Sequence, residues 1–168
     1  MKTTFKMGMM KNKFKFILPL VIVLFTACKN NQKMKNIDPK SALVFPQGEK
    51  ITNDNFTGTA YLQMLIEADT LSQTSVGNVT FEPGARTKWH SHPAGQILLV
   101  TAGMGYYQEQ GQSKKILHKG DVIKCPAGVV HWHGASKDAE FVQLAITDTK
   151  NGAPVWLEHV TDKEYLAN

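Results

Sequence analysis

Downstream of residue 58 the chain is built from short apolar-rich runs: "TAYLQMLI", "SVGNVTFE", "GQILLVTAG", "GYYQEQ", "KKILH", "DVIKCP", "VHWHGA" and "EFVQLAI". Between them stand "EPGA", "GQS", "HKG", "PAG" and "SKDA", which carry the glycine, proline, aspartate and serine of turns. Runs this short, rich in β-branched, aromatic and aliphatic residues and punctuated in this way, predict an all-β sandwich or barrel. Only the C-terminal "TDKEYLAN" reads as helix, because Thr161 and Glu164 have the spacing of a capping box ahead of a short apolar stretch.

The N-terminal segment belongs to a different class. "MKTTFKMGMMKNKFKF" carries five lysines and no acid, "FILPLVIVLFTA" is apolar but too short to span a bilayer, and Cys28 follows at once. We read residues 1–27 as a secretory signal whose "LFTAC" ending resembles a bacterial lipobox, with Cys28 as the lipidated first residue of the mature chain. An ordinary cleaved signal or an N-terminal membrane anchor are the alternatives, and Met10 is an alternative start. Residues 28–40 are polar, lack aromatics and read as a flexible tether. Residues 41–168 form the one domain. The expected location is the cell envelope, with contact to a membrane only through the lipid.

Export changes the meaning of the charge. The 19 Lys+Arg outnumber the 14 Asp+Glu, but the lysines at 2, 6, 11, 13 and 15 lie in the signal, and without these five the mature chain has 14 against 14. The basic balance therefore reports export and gives no support to nucleic-acid binding. With Cys28 acylated, Cys125 has no disulfide partner and reads as a small buried apolar side chain.

Two spaced motifs carry the chemistry. The first, over 84–103, runs Gly84, five residues, His90, one residue, His92, three residues, Gln96, six residues, Gly103; the second, over 120–135, runs Gly120, five residues, Pro126, one residue, Gly128, two residues, His131. This pattern resembles the two motifs of the cupin family, with Gln96 where a glutamate is usual and Ala135 where an asparagine often stands. The resemblance covers roughly residues 56–160. It implies a double-stranded β-helix barrel with a site inside.

The spacing also has a reading of its own. Alternate side chains of a barrel strand point inward; His90, His92 and Gln96 share even parity on one strand region, and His131 and His133 share parity on another. Three imidazoles and one amide oxygen can then converge on one divalent metal ion, and two ligands of one ion cannot stand more than about 5 Å apart. Imidazole suits Zn, Cu, Fe and Ni, and oxygen donors suit Mn and Mg, so the set tolerates several divalent metals, with Mn expected and Fe, Zn, Ni or Co as alternatives. Because Gln96 is neutral, the protein offsets none of the ion's charge, which leaves a stronger Lewis acid toward a substrate oxygen. His118 and His159 have no such partners and read as structural or solvent-facing.

The flanking "NFTG", "VTFEPGARTKWHSHPAGQ", "GDVIKCPAGVVHWHGA" and "VWLEHVTDKEY" look like the small bacterial cupins that include manganese-dependent hydroxynitrile lyases. That resemblance implies manganese held by His90, His92, Gln96 and His131, a small-molecule substrate, and His133 as the acid-base residue. His133 also lies two residues from a ligand on the same strand face, where it can reach a bound group. Val79, Thr87, Gln143 and Thr147 match positions at the substrate pocket, the last two standing where we expect the lyases to carry His and Gln. A metal-dependent oxygenase and a non-catalytic ligand-binding cupin are the alternative classes. A homodimer is expected by analogy, with contact along "NFTGTAYLQML".

Overall fold

The computed structural model of the protein describes residues 43–167; the signal, Cys28 and the tether lie outside the described residues. Twelve strands and one helix follow in order: β1 (Glu49–Lys50), β2 (Phe56–Thr57), β3 (Ala60–Ile66), β4 (Thr74–Phe81), β5 (Arg86–Thr87), β6 (His90–Ser91), β7 (Gln96–Glu109), β8 (Lys115–His118), β9 (Val122–Cys125), β10 (His131–Ala135), β11 (Phe141–Asp148), β12 (Val155–Trp156) and α1 (Asp162–Leu166). They form one curled antiparallel sheet in which β1, β3, β4, β11, β7, β10, β5 and β2 are successive neighbours; β8 and β9 also pair with β7, while β6 bridges β10 and β12. Every long run of the sequence pattern is a strand. The two-residue strands β1, β5 and β12 carry no periodicity; β6 falls where the sequence places His90 on a strand region, and β2 lies within the "NFTGTAYLQML" run.

One correction concerns "GQILLVTAG" and "GYYQEQ", which are a single fourteen-residue strand, β7, rather than two. Its first half pairs with β9 and β11 and its second half with β8 and β10, so one strand serves both walls of the barrel. A register shift opposite Val142 and Gln143 leaves Thr101 without a partner on β11, and its hydroxyl instead donates to the Val142 carbonyl at 3.2 Å. Bulges of this kind re-aim side chains. Beyond this one, Gln143 stands opposite Val100, and both side chains are buried.

Phe81, Leu98, Val100, Tyr107 and Phe141 fill the barrel interior. A second cluster, Trp89, Trp132, Val160 and Tyr165, lies on the opposite side of the same strands. Alternation explains the pairing: Trp89 precedes His90, and Trp132 sits between His131 and His133. The cluster is tied to α1, because the Tyr165 hydroxyl donates to the Ala135 carbonyl at 2.8 Å and the Arg86 guanidinium lies 4.6 Å from the Tyr165 ring centre. Arg86 also donates to the Val160 carbonyl and pairs with Asp162. Arg86, Trp89 and Trp132 thus brace from outside the strands whose inner faces carry the site. The capping box at Thr161 and Glu164 is present as the sequence predicts.

Candidate metal centre

The parity argument for the first motif is corrected. β6 covers only His90–Ser91, His92 opens a turn, and Gln96 begins the next strand, so the three residues are brought together by a turn rather than by one strand face. Gly95 makes the turn at φ +87°, and a Cβ there would stand 3.0 Å from the Cys125 carbonyl oxygen. The His92 carbonyl accepts from the backbone N–H groups of Gly95, at 3.0 Å, and of Gly128, at 2.9 Å, which ties the first motif to the second.

His90 and His131 are direct cross-strand partners of β6 and β10, and their ring centres are 4.4 Å apart. The coordinating nitrogens of His90, His92 and His131 all lie within 4.8 Å of one another, and all three residues are buried. The backbone fixes two of the rings: His90 Nδ1 lies 2.9 Å from the Lys88 carbonyl and His131 Nδ1 2.9 Å from the Val129 carbonyl. A carbonyl can only accept, so each Nδ1 bears the hydrogen and each Nε2 keeps its lone pair for a ligand.

The fourth donor is held in the same manner. Gln96 Nε2 donates to Thr147 Oγ1 at 3.0 Å, leaving Oε1 free. Gln96 Oε1, His131 Nε2 and both ring nitrogens of His92 are buried without a hydrogen-bond partner. Unsatisfied buried polar atoms are costly, and a divalent cation would satisfy His131 Nε2, one nitrogen of His92 and Gln96 Oε1. The donors therefore fit a metal ion.

His133 lies beside the triad, its ring centre 5.2 Å from that of His90. Its backbone N–H donates to Thr87 Oγ1 at 3.1 Å, and its Nδ1 lies 3.0 Å from Gln143 Nε2. Gly134 makes the first contact possible by letting β5 approach β10: a Cβ on it would meet the Ala85 carbonyl oxygen at 2.4 Å. Val79, the cross-strand partner of Gln143, lies on the wall of an open groove of about 490 Å³ that Phe56, Leu62 and Trp156 also line. Trp156 was not singled out in the sequence, yet it stacks on His90 at 4.7 Å because β12 pairs with β6. Gln96 reaches the wall of a second hollow, of about 510 Å³, beside Cys125. Cys125 is buried as expected, and burial pushes its thiol up to about 12. His118 is exposed, and His159 contacts Asp54 and Thr57 at the surface.

Burial holds all four imidazoles below their ordinary range: His92 falls to about 4, His90 and His133 lie well below 6.5, and His131 is lowered. Mutual repulsion adds to the effect at His90, His92 and His133. His133 is therefore a neutral ring at physiological pH. In the unfolded chain these groups bind protons near pH 6.5, whereas the folded site does not until well below it. Stability is therefore complete above about pH 6.5 and falls as pH drops toward 4. Thermal unfolding of metal-free protein should show a Tm lower by at least about 4 °C at pH 5 than at pH 7.5. An unchanged Tm would contradict neutral burial of these rings.

The comparisons with known proteins agree with this architecture. The cupin domain family matches residues 77–147. A protein from Granulicella tundricola named (R)-mandelonitrile lyase is 46% identical over 113 residues, covering 67% of this chain and 86% of its own. The crystal structure of a cupin-like protein from Thermotoga maritima is 49% identical with a TM-score of 0.71, covering 73% of this chain and 94% of that one. A cupin 2 conserved barrel domain protein from Rhodopseudomonas palustris shares the fold at 15% identity and a TM-score of 0.56, covering 69% of this chain and 78% of that one. The chain belongs to the cupin family and, within it, resembles a mandelonitrile lyase.

Proposed function

We propose that the protein is a metal-dependent lyase acting on a small oxygen-bearing substrate, with hydroxynitriles as the first class to test and manganese as its metal. The observation that carries this reading is the buried convergence of three imidazoles, with the amide oxygen of Gln96 in the same motif buried and unpartnered, in a chain 46% identical to a named mandelonitrile lyase. A bound divalent ion would supply Lewis acidity at a hydroxyl or carbonyl oxygen, and no protein ligand would offset its charge. His90, His92, His131 and Gln96 would hold it. His133 would meet the reacting oxygen, Thr87 accepts from the backbone N–H of His133, and Val79 and Trp156 line a groove through which a substrate would approach. Gln143 and Thr147 act through the residues that they hydrogen-bond, His133 and Gln96.

A turnover assay tests this reading: protein stripped of metal and reloaded with Mn(II) is expected to cleave mandelonitrile or a smaller hydroxynitrile. No release of aldehyde from any of a panel of hydroxynitriles, by protein proven to hold the metal, would refute the lyase assignment. The neutrality of Gln96 is tested separately. In Gln96→Glu the donor keeps nearly the same reach and gains one negative charge, so Mn(II) affinity should rise while kcat falls. Equal affinity and equal kcat would show that the missing charge has no role.

Two further readings rest on the sequence. We propose export with lipid on Cys28, which Cys28→Ser should abolish in a lipid-labelling experiment. We also propose a homodimer, which light scattering tests. The β3 segment first considered for the contact already pairs on both sides, with β1 and β4, although β1 covers only Tyr61 and Leu62.

A further inference from the structure

The site holds two neutral histidine forms of opposite polarity. At His90 and His131 the partner of Nδ1 is a backbone carbonyl, which can only accept, so these rings present a bare Nε2. At His133 the partner of Nδ1 is the amide nitrogen of Gln143, which can only donate. Nδ1 must then be the acceptor, and the hydrogen of the neutral ring must sit on Nε2. Two atoms are left over by this arrangement, His133 Nε2 and Gln143 Oε1, and both are buried without a partner. Gln143 is itself fully buried, and the β7 bulge that sets its register opposite Val100 holds it beside the ring. Phe81 packs edge-on to His133 at 5.8 Å between ring centres and Gln143 takes its Nδ1 side, so the ring has a defined seat.

From this geometry we propose that Gln143 is a positioning residue that locks His133 in the Nε2–H form, so that His133 meets the substrate as a neutral hydrogen-bond donor. The choice is between two uncharged forms of the ring and involves no gain or loss of a proton. The inference deepens the proposed function, since it rests on His133 facing the reacting oxygen, and it specifies what that oxygen must be. A donor at Nε2 matches an acceptor: a carbonyl oxygen, or a hydroxyl oxygen on which negative charge develops as its bond to carbon changes. A neutral imidazole can stabilise such charge by donation alone. The hydroxyl proton of a hydroxynitrile cannot pass to His133 in this form, because Nδ1 is engaged by Gln143. In cleavage to aldehyde and hydrogen cyanide that proton leaves with the departing cyanide as the O–H and C–C bonds break, while His133 donates to the oxygen that becomes the carbonyl, in place of the acid-base role that the sequence resemblance implies.

The polarity can be read without any turnover assay. In the full chain labelled with 15N and loaded with diamagnetic Zn(II), nitrogen NMR should show His133 Nε2 protonated and Nδ1 unprotonated, with a coupling across the hydrogen bond from Gln143 Nε2 to His133 Nδ1. His90 and His131 should show the opposite pattern and serve as internal references. In Gln143→Glu the carboxylate accepts in place of the amide donor, and the hydrogen of His133 should move to Nδ1. A wild-type His133 protonated at Nδ1 would overturn the proposal, as would a folded Gln143→Glu variant, judged by unchanged His90 and His131 signals, in which Nε2 stays protonated. If the Glu variant fails to fold, the wild-type pattern alone decides. Failure of the lyase assay with the NMR pattern intact would refute the assigned reaction and leave the polarity of the site standing.

Discussion

His131→Ala is expected to cost the protein its metal and, with it, turnover. His131 is the fully buried member of the triad from the second motif, directly across from His90, so its removal takes away one of three imidazoles and opens the centre of the donor set. Loss of a residue that merely orients a ligand weakens metal binding by about 10- to 100-fold; loss of the ligand itself should exceed that and leave no metal after dialysis. The Ala variant also leaves a void, so its fold must be checked by circular dichroism. His131→Asn, which keeps a polar side chain of smaller reach, supplies a second variant. Full metal content in a folded His131 variant would contradict the assignment of the site.

His133→Ala should behave in the opposite manner, keeping its metal and losing rate. His133 is not among the three converging nitrogens, and its own nitrogens are committed to Gln143 on one side and left unpartnered on the other. Removing a hydrogen-bond donor aimed at charge that develops on the reacting oxygen costs about 10² to 10³ in rate. The fall should appear in kcat, because interactions made chiefly in the transition state lower kcat and kcat/KM together. A variant that lost metal along with activity would make His133 a ligand or a structural residue.

Much of this site was legible in the sequence, and the limits of that legibility have physical causes. The glycine and histidine spacing singled out the three histidines whose nitrogens the fold brings together, because a chain reversal of defined length separates them. The route was misread: His90 and Gln96 lie on different strands, and Gly95, not strand parity, brings them together. β5 and β12 are not legible because two residues carry no period, and with β12 goes Trp156, whose stacking on His90 depends on a long-range pairing. Arg86, Trp89 and Trp132 lie within the motif segments yet offer no metal donor; in the fold they occupy the outer faces of the strands that carry the histidines and anchor the C-terminal helix. The polarity of His133 could not be read at all, since it depends on which atom of Gln143, ten residues away, faces the ring.

The most direct test is crystallographic. Crystals grown with Mn(II) and measured on both sides of the manganese absorption edge should show one anomalous peak inside the barrel. It should lie about 2.0 to 2.3 Å from His90, His92 and His131 Nε2 and from Gln96 Oε1, with His133 beside it but not bound. A peak elsewhere, no peak at saturating metal, or a Gln96 side chain turned away from the ion would contradict a three-histidine, one-glutamine centre.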